Sequence, residues 1–437
     1  MSSADCTFVP LRRVARVVNG GTPGSAERFW GGNIPWATPV DLNKVDGGWL
    51  TTTDRTITDD GLADGSTLIP AQSVVISSRA PIGYIANSAV PIAFNQGCKG
   101  IVPITHDTNA RFLLYALQSQ IDYLKTLGQG STFLEVGTSQ VASLEIPWTN
   151  PATQFRIADY LDHETAEIDA LIFDLSYAAT LIRSRWQTER DRAVAGSSTT
   201  TTQTKRGAWI PNLQRDWPET AVKHLFHVQL GKMLDEKQFP NGVELFPYIR
   251  AANIKEDGIS LVDIKKMPFT SAEKARFSLK ADDILVVEGG SVGLNHVLAE
   301  DLNGIYFQKT VHRMRPRREL SSYYYSEVLN SYRERGVFDI LGNKSTIQHL
   351  TADKLENLKV PVPPVQEQRL IVRHLRSSRE QANAVLDEID STLSLIRERR
   401  AALITAAVTG QIDVTARHKP AAEQLEDDIA LDLRRKK

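Results

Sequence analysis

Cysteine is nearly missing from this sequence: only Cys6 and Cys98 occur, far apart, which excludes a disulfide framework. Long apolar runs are missing too, since nothing approaches the roughly 20 residues that cross a bilayer. The opening stretch MSSADCTFVPLRRVARV lacks the apolar core and small-residue cleavage site of a signal peptide. A cytoplasmic protein without membrane contact is expected. Net charge is also absent, with 51 Lys+Arg against 52 Asp+Glu and a formal charge of −1. Self-sufficient nucleic-acid binders usually carry a basic excess. Any such binding here relies on local basic surfaces and on partners that supply much of the phosphate contact.

Catalytic signatures are missing as well. Gly128-Gln129-Gly130 lacks the third glycine of a dinucleotide-binding turn. Gly342-Asn343-Lys344-Ser345-Thr346 imitates the end of a phosphate loop, but an asparagine separates the glycine from the lysine. Adenine methyltransferases carry Asn or Asp, two prolines and an aromatic in a row; Asn150-Pro151-Ala152 lacks the last two, and Pro363-Pro364 has no polar residue before it. Nuclease chemistry needs clustered carboxylates around a metal. The nearest cluster, Asp282, Asp283 and Glu288, reads as surface or turn residues. His224 and His227 stand three apart with no cysteine nearby, so no zinc site is expected. Neither a catalytic residue nor a metal ligand emerges.

What the sequence does hold is a long internal repeat. LEIPWTNPATQFRIADYL, from Leu144, resembles LKVPVPPVQEQRLIVRHL, from Leu358, and the spacing of 214 residues persists without a gap through Gln154 and Gln368 to Gly196 and Gly410. Upstream, AQSVVISSRAPIG from Ala71 parallels ADDILVVEGGSVG from Ala281, and Ile34-Pro35-Trp36 parallels Phe246-Pro247-Tyr248. The 437 residues, 41% hydrophobic and 24% charged, therefore read as a soluble tandem duplication.

Each copy changes character midway. Short apolar runs between glycine and proline turns fill 1–150 and 213–363, the pattern of mixed, strand-rich α/β domains. From Ala152 to Val194 and from Gln366 to Val408 neither proline nor glycine occurs and charged residues interleave with apolar ones, so 151–195 and 364–410 read as long helices. Ile157, Leu161, Ile168, Leu171, Leu175 and Ile182 follow 3,4 spacing, interrupted at Glu164. Ile371, Leu375, Val385, Ile389 and Ile396 answer them, interrupted at Ser378. Such seams ask for a partner helix, and the simplest partner is the other copy, in an antiparallel coiled coil about a pseudo-two-fold axis. The alternative is that each helix packs only on its own domain. The small, polar run AGSSTTTTQTKR, from Ala195 to Arg206, makes residues 196–212 read as a flexible linker. Residues 411–437 read as a charged tail.

Four stretches together resemble the specificity subunits of type I restriction-modification systems. They are GGTPGSAERFWGGNIPWATPVDL (20–42), LIPAQSVVISSRAPIGYIA (68–86) followed by FNQGCKGIVP (94–103), PPVQEQRLIVRHL (363–375) and RERRAALITAAVTGQIDV (397–414). The first copy departs from the helix pattern, with Thr149-Asn150-Pro151-Ala152 where the second has Pro363-Pro364-Val365-Gln366. The resemblance implies two target-recognition domains separated by the family's two conserved helices. Each domain would read one half of a bipartite, asymmetric double-stranded DNA site across an unread spacer. Two modification subunits would dock on the helices and bring S-adenosylmethionine. Restriction subunits using ATP and magnesium would complete the assembly, and no cofactor is expected on this chain. Helix length would set spacer length, because paired readers meet successive major-groove faces only at the DNA repeat of about 34 Å.

Candidate DNA contacts are the base- or phosphate-bonding side chains of the loops that diverge between copies. In the first domain these are Thr38, Asp41, Arg79, Asn95, Gln96 and Lys99, with Ser131 and Thr132 from a Leu-Gly-x-x-Ser-Thr run. In the second they are Arg250, Asn253, Gln308, Lys309, His312 and Arg313, with Lys344; Ser345 and Thr346 recur at the point of Ser131 and Thr132, and both pairs read equally as phosphate contacts or turn caps. Two competing functions stay open at this point: a coiled-coil adaptor without a DNA role, and a fused DNA-modifying enzyme whose site is unrecognised.

Overall fold

The computed structural model describes residues 6–79, 81–128, 135–196, 204–233, 244–341, 349–412 and 414. Two compact units divide the chain, Met1–Leu175 with Asp390–Lys437, and Ser176–Ile389.

In the first unit a five-stranded sheet runs in the order Ala15–Asn19, Cys98–Pro103, Val74–Ser77, Ile85–Ser88, Trp49–Leu50. A four-stranded sheet, Thr56–Ile57, Trp30–Ala37, Ile92–Phe94 and Leu68–Ile69, accompanies it. Both are mixed, each containing a parallel pair. The strand Val74–Ser77 explains why the central sheet stays dry on both faces. Side chains alternate across a sheet, so Val74 and Ile76 enter one core with Phe112, Leu113 and Leu117 of the helix Ala110–Gln118. Val75 enters the other, with Leu42, Leu50 and Phe94.

The second unit repeats this scheme. Phe226–Leu230, Val311–Pro316, Ile284–Val287 and Asn295–Val297 form its four-stranded sheet, and Lys265–Pro268, Leu245–Ile249 and Tyr306–Phe307 its three-stranded one. Ile284 and Val286 face a core with Tyr324 and Val328. Leu285 and Val287 face Phe277 and Phe307. Even the strained turns match: Gln72 and Asp282 both sit at φ 64°, an unusual backbone for a residue with a side chain.

Strand register corrects one alignment. By sequence, Asn95 to Lys99 fall opposite Phe307 to Val311. In the structure Ile101 pairs with Val74 and Met314 with Ile284, which makes His312, not Val311, the counterpart of Lys99. Hydrogen bonds agree, since Asn95 N donates to Ala37 O and Gln308 N to Ile249 O, both at 2.9 Å. The strands after the turn hold the register, whereas the diverged turn carries too little identity to set it.

The long helices are Pro151–Val194 and Val365–Val408, 44 residues each, or about 66 Å at 1.5 Å per residue. Both begin on the same device. Gln154 Oε1 accepts from Asn109 N at 3.1 Å and its Nε2 donates to Thr149 O at 2.8 Å. Gln368 Oε1 accepts from Ser321 N at 2.8 Å and its Nε2 donates to Pro363 O at 2.9 Å. Gly196 and Gly410 end the helices at φ 69° and 72°, where glycine suffers no Cβ clash.

The helices pair antiparallel. In the first unit Arg400 forks onto Asp169 at 2.8 and 3.0 Å, and Ile404, Ala407 and Val408 share a core with Ile157, Ala158 and Leu161. In the second, Glu189 meets His374 and Ser378, both at 2.8 Å, and Arg379 lies over Trp186. Ala193, Val194 and Ala195 enter the second domain's core beside Leu375. Packing of each helix on its own domain alone is thereby excluded.

The seam itself needs correction. Leu171 and Val385 are 48% and 45% exposed. A 3,4 succession of buried or half-buried positions runs on the first helix through Leu161, Thr165, Ile168, Ile172, Leu175, Ala179, Ile182 and Trp186, and on the second through Leu375, Ser378, Ala382, Leu386, Ile389, Leu393 and Ile396. The 3,4 pattern thus runs through Thr165 and Ile172, so Glu164 is no interruption. Apolarity alone does not choose the seam: Leu171 and Ile172 are adjacent and similarly apolar, and burial distinguishes them.

The stretch expected as a linker is partly built into the second unit. Thr204–Lys205 pairs with Leu213–Gln214, Ile210 is 2% exposed, and Lys205 Nζ donates to Trp217 O at 2.6 Å. Residues 197–203, and all of the charged tail except 411, 412 and 414, lie outside the described residues.

Candidate nucleic-acid interface

Most of the described side chains that sequence pattern offers as DNA contacts make hydrogen bonds or ion pairs within their own domain. Asp41 is 3% exposed; its Oδ2 accepts from Thr38 N and Oγ1 at 2.9 and 2.6 Å, and its Oδ1 accepts from Asp54 N. Thr38 and Asp41 thus cap the helix Pro39–Lys44. Asn253, equally buried, is the counterpart: its Oδ1 accepts from Arg250 N while its Nδ2 donates to Ser260 O and Asp263 O. Arg250 bonds Asp263 at 2.6 Å.

Lys99 and His312 share a task. Lys99, 4% exposed, approaches Glu135 at 3.5 Å, where Arg79 also pairs at 2.9 Å. His312 is fully buried, and since a carbonyl only accepts, its Nε2–H must donate to Leu350 O at 2.6 Å. Both side chains therefore secure the segment that follows the Leu-Gly run in their copy. Burial holds the His312 ring below its usual pKa. Arg313, 4% exposed, donates to Arg276 O and Ser278 O; burial, and then neighbouring Arg315, bring its pKa down to about 10.

Asn95 accepts from Gly97 N as a turn residue, and Gln308 accepts from Thr310 Oγ1 at 2.9 Å. Gln96 is exposed beside Thr22, and its counterpart Lys309 is half-buried. Ser131, Thr132, Lys344, Ser345 and Thr346 lie outside the described residues. The carboxylates considered for a nuclease do not converge: Asp283 is fully buried and forked onto Arg315, while Asp282 occupies the strained turn. Among the described residues no group of three or more His, Cys, Asp or Glu is placed to hold a metal. Nor is any described helix long and apolar enough to cross a membrane.

Sequence pattern overlooked two surface features. Arg55 lies 3.5 Å above the Trp30 ring, which meets Trp36 edge-on; in the second unit Lys274 lies 3.5 Å above Phe246. Arg12, Arg13 and Arg16 are exposed on the turn Leu11–Arg13 and the strand after it, as are Lys223, His224 and His227 on Val222–His224 and its strand. The signal was present in LRRVARV against VKHLFHV, which place basic residues at the same three positions.

Two copies of one scaffold, whose matching turns share three backbone bonds and differ in their side chains, define a tandem recognition protein for a two-part target. The type I restriction modification DNA specificity domain matches this chain twice, over residues 4–172 and 214–391. The chain belongs to that family, the DNA specificity subunits of type I restriction-modification systems. The type I restriction enzyme EcoBI specificity subunit of Escherichia coli is 21% identical over 417 residues, 92% of this chain and 80% of the relative. The MjaIX specificity subunit of Methanocaldococcus jannaschii is 34% identical over 157 residues, 35% of this chain and only 36% of the relative. A solved structure from a study of complex assembly and conformational transition of the type I R-M system shares the fold, with TM-score 0.63 and 15% identity over 94% of this chain and 99% of the other.

Proposed function

We propose that this chain selects DNA for a restriction-modification complex, each strand-rich domain reading one half of a bipartite, asymmetric site. The observation that carries the reading is the pair of matched turns Asn95–Lys99 and Gln308–His312. Three of their backbone bonds match, yet an exposed Gln96 in one stands where Lys309 stands in the other. Glutamine suits adenine's donor and acceptor edge, and lysine suits guanine's acceptors. A repeated platform with different reading groups selects two different half-sites.

The paired helices carry two modification subunits and set the number of unread base pairs between half-sites. S-adenosylmethionine and methyl transfer belong to those subunits, and ATP, magnesium and cleavage to restriction subunits. This chain contributes recognition without catalysis, in the cytoplasm.

Exchanging residues 213–363 for the matching domain of a relative tests the reading. Half of the recognised sequence is expected to change while the other half stays. An adaptor without a DNA role would leave the sequence untouched. The purified chain alone, given S-adenosylmethionine and magnesium, is expected neither to methylate nor to cleave DNA; a fused enzyme would do one or the other.

A further inference from the structure

Exposed basic residues occupy the same three positions at the entrance to both recognition domains. Leu11 N donates to Leu144 O at 2.9 Å and Val222 N to Leu358 O at 3.0 Å, so both short turns hang on the strand leading to a long helix. Val14 N then closes onto Leu11 O, and Leu225 N onto Val222 O. Arg12, Arg13 and Arg16 match Lys223, His224 and His227, and all six are exposed. Among the described residues no acidic side chain pairs with any of them. Lys223 bonds the neutral Asn357, at 2.7 Å.

A chain with formal charge −1 has no general surplus of basic groups to scatter, and several of its other arginines are matched by carboxylates. Arg333 lies against Glu256, Arg369 against Glu319, Arg379 against Glu327 and Arg400 against Asp169. What sets the two entrance turns apart is that their exposed basic groups recur at equivalent places in the two copies. Their basic character persists between copies while the neighbouring turns diverge, which is the behaviour expected of groups that touch something common to both half-sites.

The strand after each turn supplies the geometry. Arg16 and Asn19 are three residues apart, and Asn19 pairs with Lys99 beside the reading turn. His227 and Leu230 are likewise three apart, and Leu230 pairs with His312. At about 3.3 Å per residue the strand carries the chain roughly 10 Å, close to the major-groove width of about 12 Å. A side chain at one end of such a strand can meet the phosphate backbone while the turn at its other end meets base edges.

We propose that Arg12, Arg13 and Arg16 in the first domain, and Lys223, His224 and His227 in the second, grip DNA phosphates on either half-site without regard to sequence. Arginine and lysine supply charge; the histidines supply a ring N–H. The inference rests on the DNA-reading function proposed above.

The test measures affinity of the full chain, assembled with its modification subunit, for two duplexes of equal length over a salt series. One duplex holds the methylated site and the other a scrambled site. Replacing Arg12, Arg13 and Arg16 together by alanine is expected to weaken both duplexes by the same factor. It is also expected to flatten the slope of log affinity against log salt by about 2 to 3, near 0.9 per lost phosphate contact. The lysine version of the triple variant restores most of the slope, which separates lost charge from a fold defect. An unchanged slope in a complex that still selects its site overturns this inference alone. Loss of modification-subunit capture with unchanged slope also overturns it, assigning the surface to a protein partner. A wild-type complex that prefers no sequence overturns the parent reading and this inference with it.

Discussion

Replacing Gln154 or Gln368 by leucine removes one amide and strands two backbone groups at once. Gln154 is 1% and Gln368 2% exposed. Each accepts from the N–H of a residue that caps a domain helix, Asn109 or Ser321, and donates to the carbonyl of Thr149 or Pro363 just before its own helix. Leucine fills similar space and satisfies neither group. An unsatisfied buried polar group costs about 1–3 kcal/mol; with the carbonyl fully enclosed and the N–H partly so, each variant should lose about 2–4 kcal/mol. Hydrogen exchange at the Asn109 and Ser321 amides reads the loss locally, as protection falling by roughly 30-fold or more. Glutamate would not rescue, because its second oxygen faces a carbonyl and the charge is buried. Because the geometry is the same in both units, the two losses should agree within about 1 kcal/mol. Amide protection that drops less than about fivefold in either variant would refute the reasoning.

Other perturbations probe other parts of the fold. Ile389→Ala should cost about 2–4 kcal/mol in urea unfolding, whereas Leu171→Ala and Val385→Ala should stay within about 0.5 kcal/mol, because those side chains face solvent; the reverse order would restore the seam as read from sequence. Burial keeps the folded-state pKa of His312 below the unfolded value of 6.5, so its contribution to stability is present above that pH and is lost as pH falls below it. A stability profile from pH 7 to 5 should therefore be less steep for His312→Gln than for the wild type, and an identical slope would contradict this. Glu327 of the helix Ser322–Glu334 pairs with Arg379 of the second long helix. Glu327→Arg should therefore cost about 1–3 kcal/mol, and adding Arg379→Glu should recover at least half, measured by a double-mutant cycle.

The architecture was legible because it is written in features with long reach. A fixed spacing of 214 residues joined Gln154 to Gln368 and Gly196 to Gly410, and each pair does the same work at the same end of a helix. The seam was half legible. Its period is a property of the helix, but the choice between Leu171 and Ile172 depends on what packs from outside. Contact residues were the least legible, for a physical reason. Asp41, Asn253, Lys99, His312 and Arg313 carry the donors and acceptors that read bases, and the same groups cap turns and bind carbonyls inside a protein. Sequence names the chemistry and not its direction. Pattern across copies was the better guide, and it pointed to Arg12, Arg13 and Arg16 only once their exposure was known.

Mapping methylated adenines across a genome in which this chain is expressed with its modification subunit tests the central claim most directly. Two unlike half-sites separated by a gap of fixed length and free sequence are predicted in a single motif. One uninterrupted motif, or two identical halves, would contradict the account of two diverged readers on one duplicated scaffold.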